Sequence, residues 1–116
     1  MKERKAFGKP IAGFQNTQFK IAEMHTKLEV ARAYVDRCLE LHLKKELDIP
    51  TAAAGKYYIT DLQCEVIDEC LQLHGGYGYM WEYPIARMFA DSRVQRIYGG
   101  TNEIMKGIVA KAVLAD

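Results

Sequence analysis

The sequence lacks the features of a disulfide-stabilised or zinc-binding protein. It has three cysteines, Cys38, Cys64 and Cys70, which is an odd number, and no two of them form a C-x-x-C pair. Disulfide frameworks use even numbers of cysteines and structural zinc sites use closely spaced pairs, so neither is expected. We expect no metal site, a reducing compartment, and cysteines that pack as small apolar side chains rather than act as nucleophiles.

Long apolar runs and an excess of one charge are also missing. Met1 is followed by the charged run K-E-R-K rather than by an apolar signal region, and no run of about 18 apolar residues occurs. We therefore expect a protein that is neither secreted nor membrane-spanning. The 16 basic and 15 acidic residues give a formal net charge of +1. Nucleic acid and anionic membranes are thus not expected as partners, because no strong field would attract them.

The residues that are present fit one small helical domain. A length of 116 residues lies within the range of one compact domain, and 49% hydrophobic with 27% charged residues is ordinary for a soluble globular protein. Gly8, Pro10 and Gly13 indicate a loop over residues 1–13. No segment alternates apolar and polar residues as a strand would, which favours an all-α protein.

Apolar residues recur at helical spacing in two long segments. The first helix is predicted over residues 17–46 and is stopped by Pro50. The second is capped by Asp48, carries Pro50 in its first turn and ends near His74, before two glycines. The predicted apolar stripes are Ile21, Met24, Leu28, Ala31, Val35, Cys38 and Leu41, then Ile59, Leu62, Val66, Cys70 and Leu73. A short connection makes the two helices antiparallel neighbours.

Two shorter helices complete the predicted fold. Pro84 opens a third helix that ends near Ser92, and Thr101 caps a fourth with Glu103 in its first turn. The residues predicted to face inward are Ile85, Met88 and Phe89 in the third helix and Ile104, Ile108 and Ala112 in the fourth. The predicted fold is therefore an all-α, antiparallel up-and-down bundle of two long and two short helices.

Two loops in the first three-quarters of the chain are candidates for ligand contacts. In R-K-A-F-G-K at 4–9, Arg4 could contact a phosphate or carboxylate and Phe7 could stack, although a solvated basic terminus is the alternative. In Q-L-H-G-G-Y-G at 72–78, the glycines leave backbone open to a close ligand, although a Schellman cap explains them equally well. His74 is interpreted as a cap or core residue rather than a catalytic one.

The strongest local signal is I-Y-G-G-T-N-E-I at 97–104, where two glycines lead into a helix N-terminus. Free N–H groups and the positive end of the helix dipole suit an anion there, although an ordinary loop has the same pattern. The aromatic residues Tyr77, Tyr79, Trp81 and Tyr83 are interpreted as a packed loop, with the border of an apolar ligand channel as the alternative.

Taken together and in this order, these stretches resemble the C-terminal helical domain of the acyl-CoA dehydrogenase family, in its long-chain-type and bacterial branch. R-K-A-F-G-K, Q-x-x-G-G-Y-G-Y-M, E-Y-P-I-A-R, D-S-R-V and I-Y-G-G-T-N-E-I-M-K keep the family's spacing over essentially the whole chain. The resemblance implies that residues 1–116 belong to a larger subunit. The N-terminal domain, the middle β domain and the first helix of the bundle are then absent, and the intact subunit forms a homotetramer.

The resemblance also assigns roles to single residues. It implies that FAD bound mainly by a neighbouring subunit is contacted by Arg4, Phe7, Gln15, Gln72, Gly75 and Gly76. It implies that the adenosine part of another FAD is contacted by Thr101, Asn102 and Glu103. Tyr98 and Gly100 match positions close to the acyl thioester. The implied activity is α,β-desaturation of an acyl-CoA, of fatty-acid or branched-chain type, with electron-transfer flavoprotein as partner, in the bacterial cytoplasm or the mitochondrial matrix.

The position of the catalytic base departs from the pattern of many family members. They place a glutamate just before the second glycine of the last loop, where this sequence has Gly99. We favour a base on the helix that precedes R-K-A-F-G-K, before Met1, over a family member that has lost the activity. Glu82 and Glu103 are more simply explained as charges at helix N-termini.

The missing base and helix lead to two expectations for the chain by itself. It should be inactive, and it should associate as a dimer or larger because an incomplete bundle exposes an apolar groove. The alternative function is a non-catalytic helical oligomerisation or interaction module derived from the family.

Overall fold

The structure, a computed structural model, describes residues 5, 6 and 8–115. Arg4 and Phe7, both predicted to contact FAD, lie outside the described residues. The elements are the strands β1 (Lys5–Ala6) and β2 (Lys9–Pro10) and the helices α1 (Gln15–Leu43), α2 (Ile49–His74), α3 (Pro84–Ser92) and α4 (Asn102–Leu114). Short 3₁₀ turns cover Ile11–Gly13, Gly75–Tyr79 and Arg93–Arg96. The all-α prediction of two long and two short helices is confirmed, and the small antiparallel ladder between β1 and β2 was not predicted.

The two long helices run antiparallel, as predicted. Lys20 Nζ lies 3.4 Å from Glu69 Oε2, near the start of α1 and the end of α2. At the opposite end of the pair, the Tyr34 hydroxyl donates to the carbonyl of Thr51 at 2.8 Å. Residue numbers therefore increase along α1 in the direction in which they decrease along α2, and the start of α1 lies beside the end of α2.

The connection between α1 and α2 differs in detail from the prediction. α1 ends at Leu43 rather than near residue 46, because Lys45 adopts a positive φ of 60° and the N–H of Glu46 bonds back to the carbonyl of Leu41 at 2.8 Å. The chain has left the helix before it reaches Pro50, which lies in the first turn of α2. The Asp48 cap is confirmed, since its Oδ1 accepts from the N–H of Thr51 at 2.7 Å.

The buried faces of α3 and α4 were predicted only in part. In α3, Ile85 is buried as expected, but Met88 and Phe89 are half-exposed and that part of the prediction is wrong. In α4, the capping of Thr101 is confirmed, but Ile104 and Ala112 are exposed. Ile108 is partly buried, as predicted, and the other residues that point inward are Ala86 and Ser92 in α3 and Asn102, Met105 and Val109 in α4. The inward face of α4 includes Asn102, whose amide bonds to Tyr57 and Asp61 on α2.

The apolar core is thin for a chain of this length. The radius of gyration is 17.6 Å, whereas about 13 Å is typical for this number of residues. The accessible surface is 8477 Å², whereas about 6,400 Å² is typical of a folded monomer of this size. Leu28 and Val35, both on the predicted stripe of α1, are among the exposed apolar side chains. Within the described residues, no helix is both long and apolar enough to cross a membrane.

Candidate functional site

The last predicted ligand loop, residues 97–101, connects the turn Arg93–Arg96 to α4. Gly99 and Gly100 have φ values of 66° and 91°, a region that disfavours residues with a Cβ atom. Gly100 has a second constraint, because an added Cβ would overlap the terminal methyl group of Met105. Around Gly99 an added Cβ would meet no described atom within 4 Å. The loop thus turns sharply and leaves open space at the position where many family members carry a glutamate.

A cluster of polar side chains fastens this loop to α2. Lys56 Nζ donates to the carbonyl of Gly100 at 2.8 Å and to Asn102 Oδ1 at 2.7 Å. The Asn102 Nδ2 group donates to Asp61 Oδ1 at 2.8 Å and to Thr60 Oγ1 at 2.9 Å. Asn102 is only 2% exposed, so its amide is removed from water and fully engaged within the chain.

The same carboxylate also holds the other side of the loop. Arg96 Nε donates to Asp61 Oδ1 at 2.7 Å, the oxygen that also accepts from Asn102. Arg96 directly precedes residues 97–101 and Asn102 directly follows them. We call Lys56, Thr60, Asp61, Arg96 and Asn102 the anchor cluster. A single carboxylate on a long helix therefore ties both ends of the candidate loop.

The predicted contacts at the start of α4 have different environments. Asn102, which the resemblance assigns to FAD, uses its side chain within the anchor cluster, so only its backbone remains available to a ligand. Thr101 Oγ1 accepts from the N–H of Ile104 at 3.3 Å, and the Glu103 side chain is exposed. The first N–H groups of an α-helix have no acceptor within the helix, so those of Asn102 and Glu103 can serve a bound ligand. The flavin roles of these three residues stay predictions.

The second predicted ligand region lies at the far end of the α1–α2 pair. Gln15 is the first residue of α1, and Gln72 lies in the last turn of α2. Because Lys20 pairs with Glu69, Gln15 lies beside the end of α2, so the structure brings Gln15, Gln72, Gly75 and Gly76 to one end of the helix pair. Gln15, Gln72 and Gly76 are exposed.

The two regions are separate within one chain. Gln72 lies twelve residues after Thr60 in α2, which is about 18 Å of helix at about 1.5 Å per residue. The two regions therefore lie at separate places along α2. That the two regions contact two different flavins in an oligomer stays a prediction.

The three glycines at the end of α2 differ in why glycine is needed at each position. Gly75 has a φ of 61° and ends the helix. An added Cβ at Gly78 would lie 2.5 Å from the carbonyl oxygen of Leu71, so the fold needs glycine there. Gly76 is exposed and has a negative φ, and among the described residues nothing would meet a Cβ added to it within 4 Å. The described fold gives no reason for a glycine at position 76, where the backbone is left open to the close approach of a ligand.

His74 has the environment expected of a cap or core residue. Its Nδ1 lies 2.7 Å from the carbonyl oxygen of Cys70, one turn earlier in α2. This contact makes His74 part of the helix end, as predicted.

The aromatic residues after α2 do not form a packed loop, and that interpretation is wrong. Tyr79 is 91% exposed and Trp81 is also exposed, while Tyr77 and Tyr83 contact each other with ring centroids 5.2 Å apart. Tyr79 and Trp81 border an open groove of about 590 Å³ beside Phe89. The apolar side chains that would have to cover these rings are not supplied by α3, whose Met88 and Phe89 are themselves half-exposed.

The cysteines have the environments of packing residues. All three are partly buried, and the Cys64 thiol lies 3.8 Å from the carbonyl oxygen of Ser92. Burial raises the pKa of the Cys70 thiol, with a smaller contribution from Glu69, which disfavours the reactive thiolate. In the part of the chain that the structure describes, no group of three or more histidine, cysteine or acidic residues could hold a metal ion.

Lys56, Asp61 and Arg96 were not identified from the sequence. Lys56, Thr60 and Asp61 do interrupt an otherwise apolar stretch of α2, which is the signal that could have pointed to them. Their partners lie far away in sequence, however: Lys56 is 44 residues from Gly100 and Asp61 is 35 residues from Arg96.

Comparisons with known proteins agree with the geometry. The family model described as "Acyl-CoA dehydrogenase, C-terminal domain" matches residues 1–114. The mitochondrial long-chain specific acyl-CoA dehydrogenase of Mus musculus is 55% identical over 116 residues, which are 100% of this chain and 27% of that protein. The caffeyl-CoA reductase-Etf complex subunit CarC of Acetobacterium woodii is 41% identical over 113 residues, which are 97% of this chain and 30% of that protein.

The fold is also that of a solved relative. The crystal structure of an acyl-CoA dehydrogenase from Geobacillus kaustophilus superimposes with a TM-score of 0.95 at 45% identity, covering 98% of this chain and 30% of that one. The chain thus spans less than a third of the length of the proteins it matches.

Proposed function

Because this chain belongs to the acyl-CoA dehydrogenase family, in which it is the C-terminal domain, we propose that it forms the flavin-contacting and subunit-contacting part of an FAD-dependent acyl-CoA dehydrogenase. The observation that supports the proposal is that the two sets of predicted contact residues lie at separate places on one chain. Exposed Gln15, Gln72 and Gly76 lie at one end of α2, and the anchored loop 97–101 lies about 18 Å away along the helix. Such spacing suits a subunit that contacts two flavins.

In this proposal the chain contributes binding and orientation rather than the proton-abstracting group. The reaction is α,β-desaturation of an acyl-CoA thioester, for which bound FAD supplies the hydride acceptor. Tyr98 and Gly100 would lie beside the thioester, and Gln15, Gln72 and the backbone of Gly75–Gly76 would hold the flavin. A carboxylate must remove the α proton within hydrogen-bond reach, and Gly99 cannot do so. The open space at Gly99 would leave room for a carboxylate from another part of the subunit.

The complete subunit in this proposal contains an N-terminal and a middle domain in addition to residues 1–116. It assembles as a homotetramer, passes electrons to electron-transfer flavoprotein and works in the bacterial cytoplasm or the mitochondrial matrix. The thin core and the exposed apolar side chains of α1 support burial against further protein. The name of the Acetobacterium woodii relative, a subunit of an Etf complex, supports the electron-transfer partner. The chain alone is then inactive.

Flavin binding by the complete subunit tests this function. The double variant Gln15→Ala and Gln72→Ala removes two hydrogen-bonding side chains at about 1 kcal/mol each, so FAD should bind about 30-fold more weakly. Gln63→Ala, on α2 but away from its end, is the matched control. Titration of the apoprotein with FAD measures the affinity, and bleaching of the flavin absorbance by an acyl-CoA reports the reaction. Equal affinity in the double variant and the control would refute the flavin role.

A second candidate is a helical interaction module that keeps the bundle without a cofactor role. The exposed apolar residues of α1 favour it as much as they favour a domain of an enzyme. FAD binding distinguishes the two functions, because an interaction module should show no FAD affinity that depends on Gln15 or Gln72. For either function the isolated chain should sediment as a dimer or larger at micromolar concentration, and a clean monomer would contradict that expectation.

A further inference from the structure

The loop 97–101 has few contacts of its own that could fix its shape. The side chains of Ile97 and Tyr98 are exposed, and their N–H groups both bond to the carbonyl of Val94, at 2.9 and 3.0 Å. Gly99 and Gly100 follow, and glycine has more conformational freedom to lose than any other residue. A loop with this sequence would sample many shapes unless groups outside it restrict the backbone.

The anchor cluster supplies that restriction at three points. Arg96 and Asn102, which flank the loop, donate to the same oxygen of Asp61 at 2.7 and 2.8 Å. Lys56 Nζ donates to the carbonyl of Gly100 at 2.8 Å, inside the loop. This bond restricts the direction of the Gly100 carbonyl and, because the peptide group is planar, limits how the peptide between Gly100 and Thr101 can turn.

The cluster is also suited to hold a precise geometry. Lys56 and Asp61 are both carried by the long helix α2, which is more rigid than a loop. Charged partners make shorter and stronger hydrogen bonds than neutral ones, and partial burial of Lys56 and Asp61 strengthens them further.

We propose that Lys56 and Asp61 are positioning residues, which hold the backbone of loop 97–101 so that Tyr98 and Gly100 are correctly placed against the acyl thioester. This inference rests on the proposed function, and it adds residues that act through the loop without touching the substrate. A displacement of about 1 Å at a reacting group can cost about 100-fold in rate. Loss of the Asp61 carboxylate, which accepts from both Arg96 and Asn102, should therefore lower kcat while it changes KM little.

The test compares Asp61→Leu and Asp61→Asn with Asp68→Leu in the complete, flavin-loaded subunit. Asp68 is an exposed aspartate two turns further along α2 and is not part of the cluster. Asp61→Leu should lower kcat by about 10- to 100-fold with KM for the acyl-CoA within about threefold. Asp61→Asn keeps an acceptor oxygen for Arg96 and should restore most of kcat. If it is as impaired as Asp61→Leu, or if Asp68→Leu is equally impaired, the inference fails.

Hydrogen exchange of the backbone amides provides a readout that needs no turnover. Asp61→Leu should speed exchange in residues 97–104 at least tenfold and leave α1 unchanged, since only the loop loses its anchor. Faster exchange throughout α1 as well would mean a general structural role and would overturn the inference. Lys56→Met, which keeps the bonds of Asp61 to Arg96 and Asn102, should also speed exchange in the loop alone, and provides the same test if Asp61→Leu fails to fold.

The outcomes separate this inference from the function on which it rests. A complete wild-type subunit whose flavin no acyl-CoA reduces would overturn the proposed function and the inference with it. A wild-type subunit that reduces its flavin, with Asp61→Leu and Lys56→Met unchanged in kcat and in loop exchange, would overturn the inference alone.

Discussion

Replacing Asn102 with aspartate should destabilise the protein in a way that depends on pH. The substitution keeps the size of the side chain but turns the amide nitrogen, which donates to Asp61 Oδ1 at 2.8 Å, into an oxygen. Two carboxylate oxygens then face each other, and the carbonyl of Tyr57, 3.2 Å from the amide nitrogen, loses its donor. Lys56 offsets part of this cost, because its ammonium lies 2.7 Å from the other side-chain oxygen.

The size of the effect follows from the bonds that change. A hydrogen bond to a charged group contributes about 1.5–3 kcal/mol, and the repulsion between the carboxylates adds to its loss. With the attraction of Lys56 subtracted, we expect the free energy of unfolding to fall by about 3 kcal/mol at pH 7. An unfolding entropy of about 2.1 cal/mol/K per residue over this chain converts that to a drop of about 12 °C in Tm.

The pH dependence has a definite sign. In Asn102→Asp, the negative charge of Asp61 raises the pKa of the new carboxyl above the unfolded value of about 3.9. The folded state therefore binds more protons than the unfolded state, and stability falls as pH rises. Below about pH 4 a protonated oxygen can donate to Asp61 again, so the difference from the wild type should shrink there and grow as pH rises through the folded pKa.

Thermal unfolding from pH 3.5 to pH 8, followed by circular dichroism, measures this prediction. The control is Asn16→Asp, which makes the same chemical change at an exposed position in the first turn of α1. A negative charge there is favourable to the helix dipole, so Asn16→Asp should not destabilise at neutral pH. A loss in Asn102→Asp no greater than in Asn16→Asp at pH 7, or a loss that does not shrink in acid, would refute the role assigned to the buried amide.

Three further outcomes are expected from local geometry. Gly78→Ala should lower the free energy of unfolding by about 1–3 kcal/mol because its Cβ would lie 2.5 Å from the carbonyl oxygen of Leu71. Gly76→Ala, measured in the same urea denaturation, should change the stability little. Equal losses of stability in the two variants would contradict this. Asp48→Ala should lower the urea midpoint. Because hydrogen bonds from Thr51 lower the pKa of Asp48, the stability that the wild type gains from this cap should be present above about pH 3.9 and lost as pH falls below it. A midpoint no lower than that of the exposed Asp36→Ala control would count against the cap. Burial raises the pKa of the Tyr34 phenol, so Tyr34→Phe should remove a tyrosine ionisation above the ordinary range in a spectrophotometric titration, whereas Tyr79→Phe should leave that step in place.

The boundaries of the helices were largely predictable because their signals are local. Asp48, Pro50 and Gly75 mark the two ends of α2 through bonds and dihedral angles that involve only neighbouring residues. Thr101 starts α4 for the same reason. The end of α1 was missed because the left-handed conformation of Lys45 has no glycine or asparagine to announce it.

The faces of the short helices were less predictable, because burial depends on which surface lies opposite. Met88 and Phe89 are apolar and have the correct helical spacing, yet nothing in the described chain covers them fully. A pattern of apolar residues indicates that a face is meant to be covered, but it does not say by which chain. The same holds for the aromatic side chains of Tyr79 and Trp81.

The candidate site shows the same division between local and distant information. The glycines of loop 97–101 and the cap at Thr101 were visible in the sequence, since each is required by the backbone at that position. The anchor cluster was not visible, because a lysine and an aspartate on a helix acquire their role only from groups 35–44 residues away. Asn102 was predicted from the resemblance to contact FAD, but its bond to Asp61 through the buried amide was not foreseen.

The exposed apolar surface and the anchored loop lead to one conclusion about where the chain's structure is completed. Side chains such as Leu28 and Val35 lie on the stripe that defines α1 as a bundle helix, and they remain in contact with water. Each square ångström of such surface is worth about 25 cal/mol when it is buried, so contact with further protein would stabilise α1 and α2 together. Because α2 carries Lys56 and Asp61, that contact would also steady the helix on which the loop is mounted. We therefore expect the geometry of the candidate site to depend on assembly, even though every residue of the anchor cluster comes from one chain.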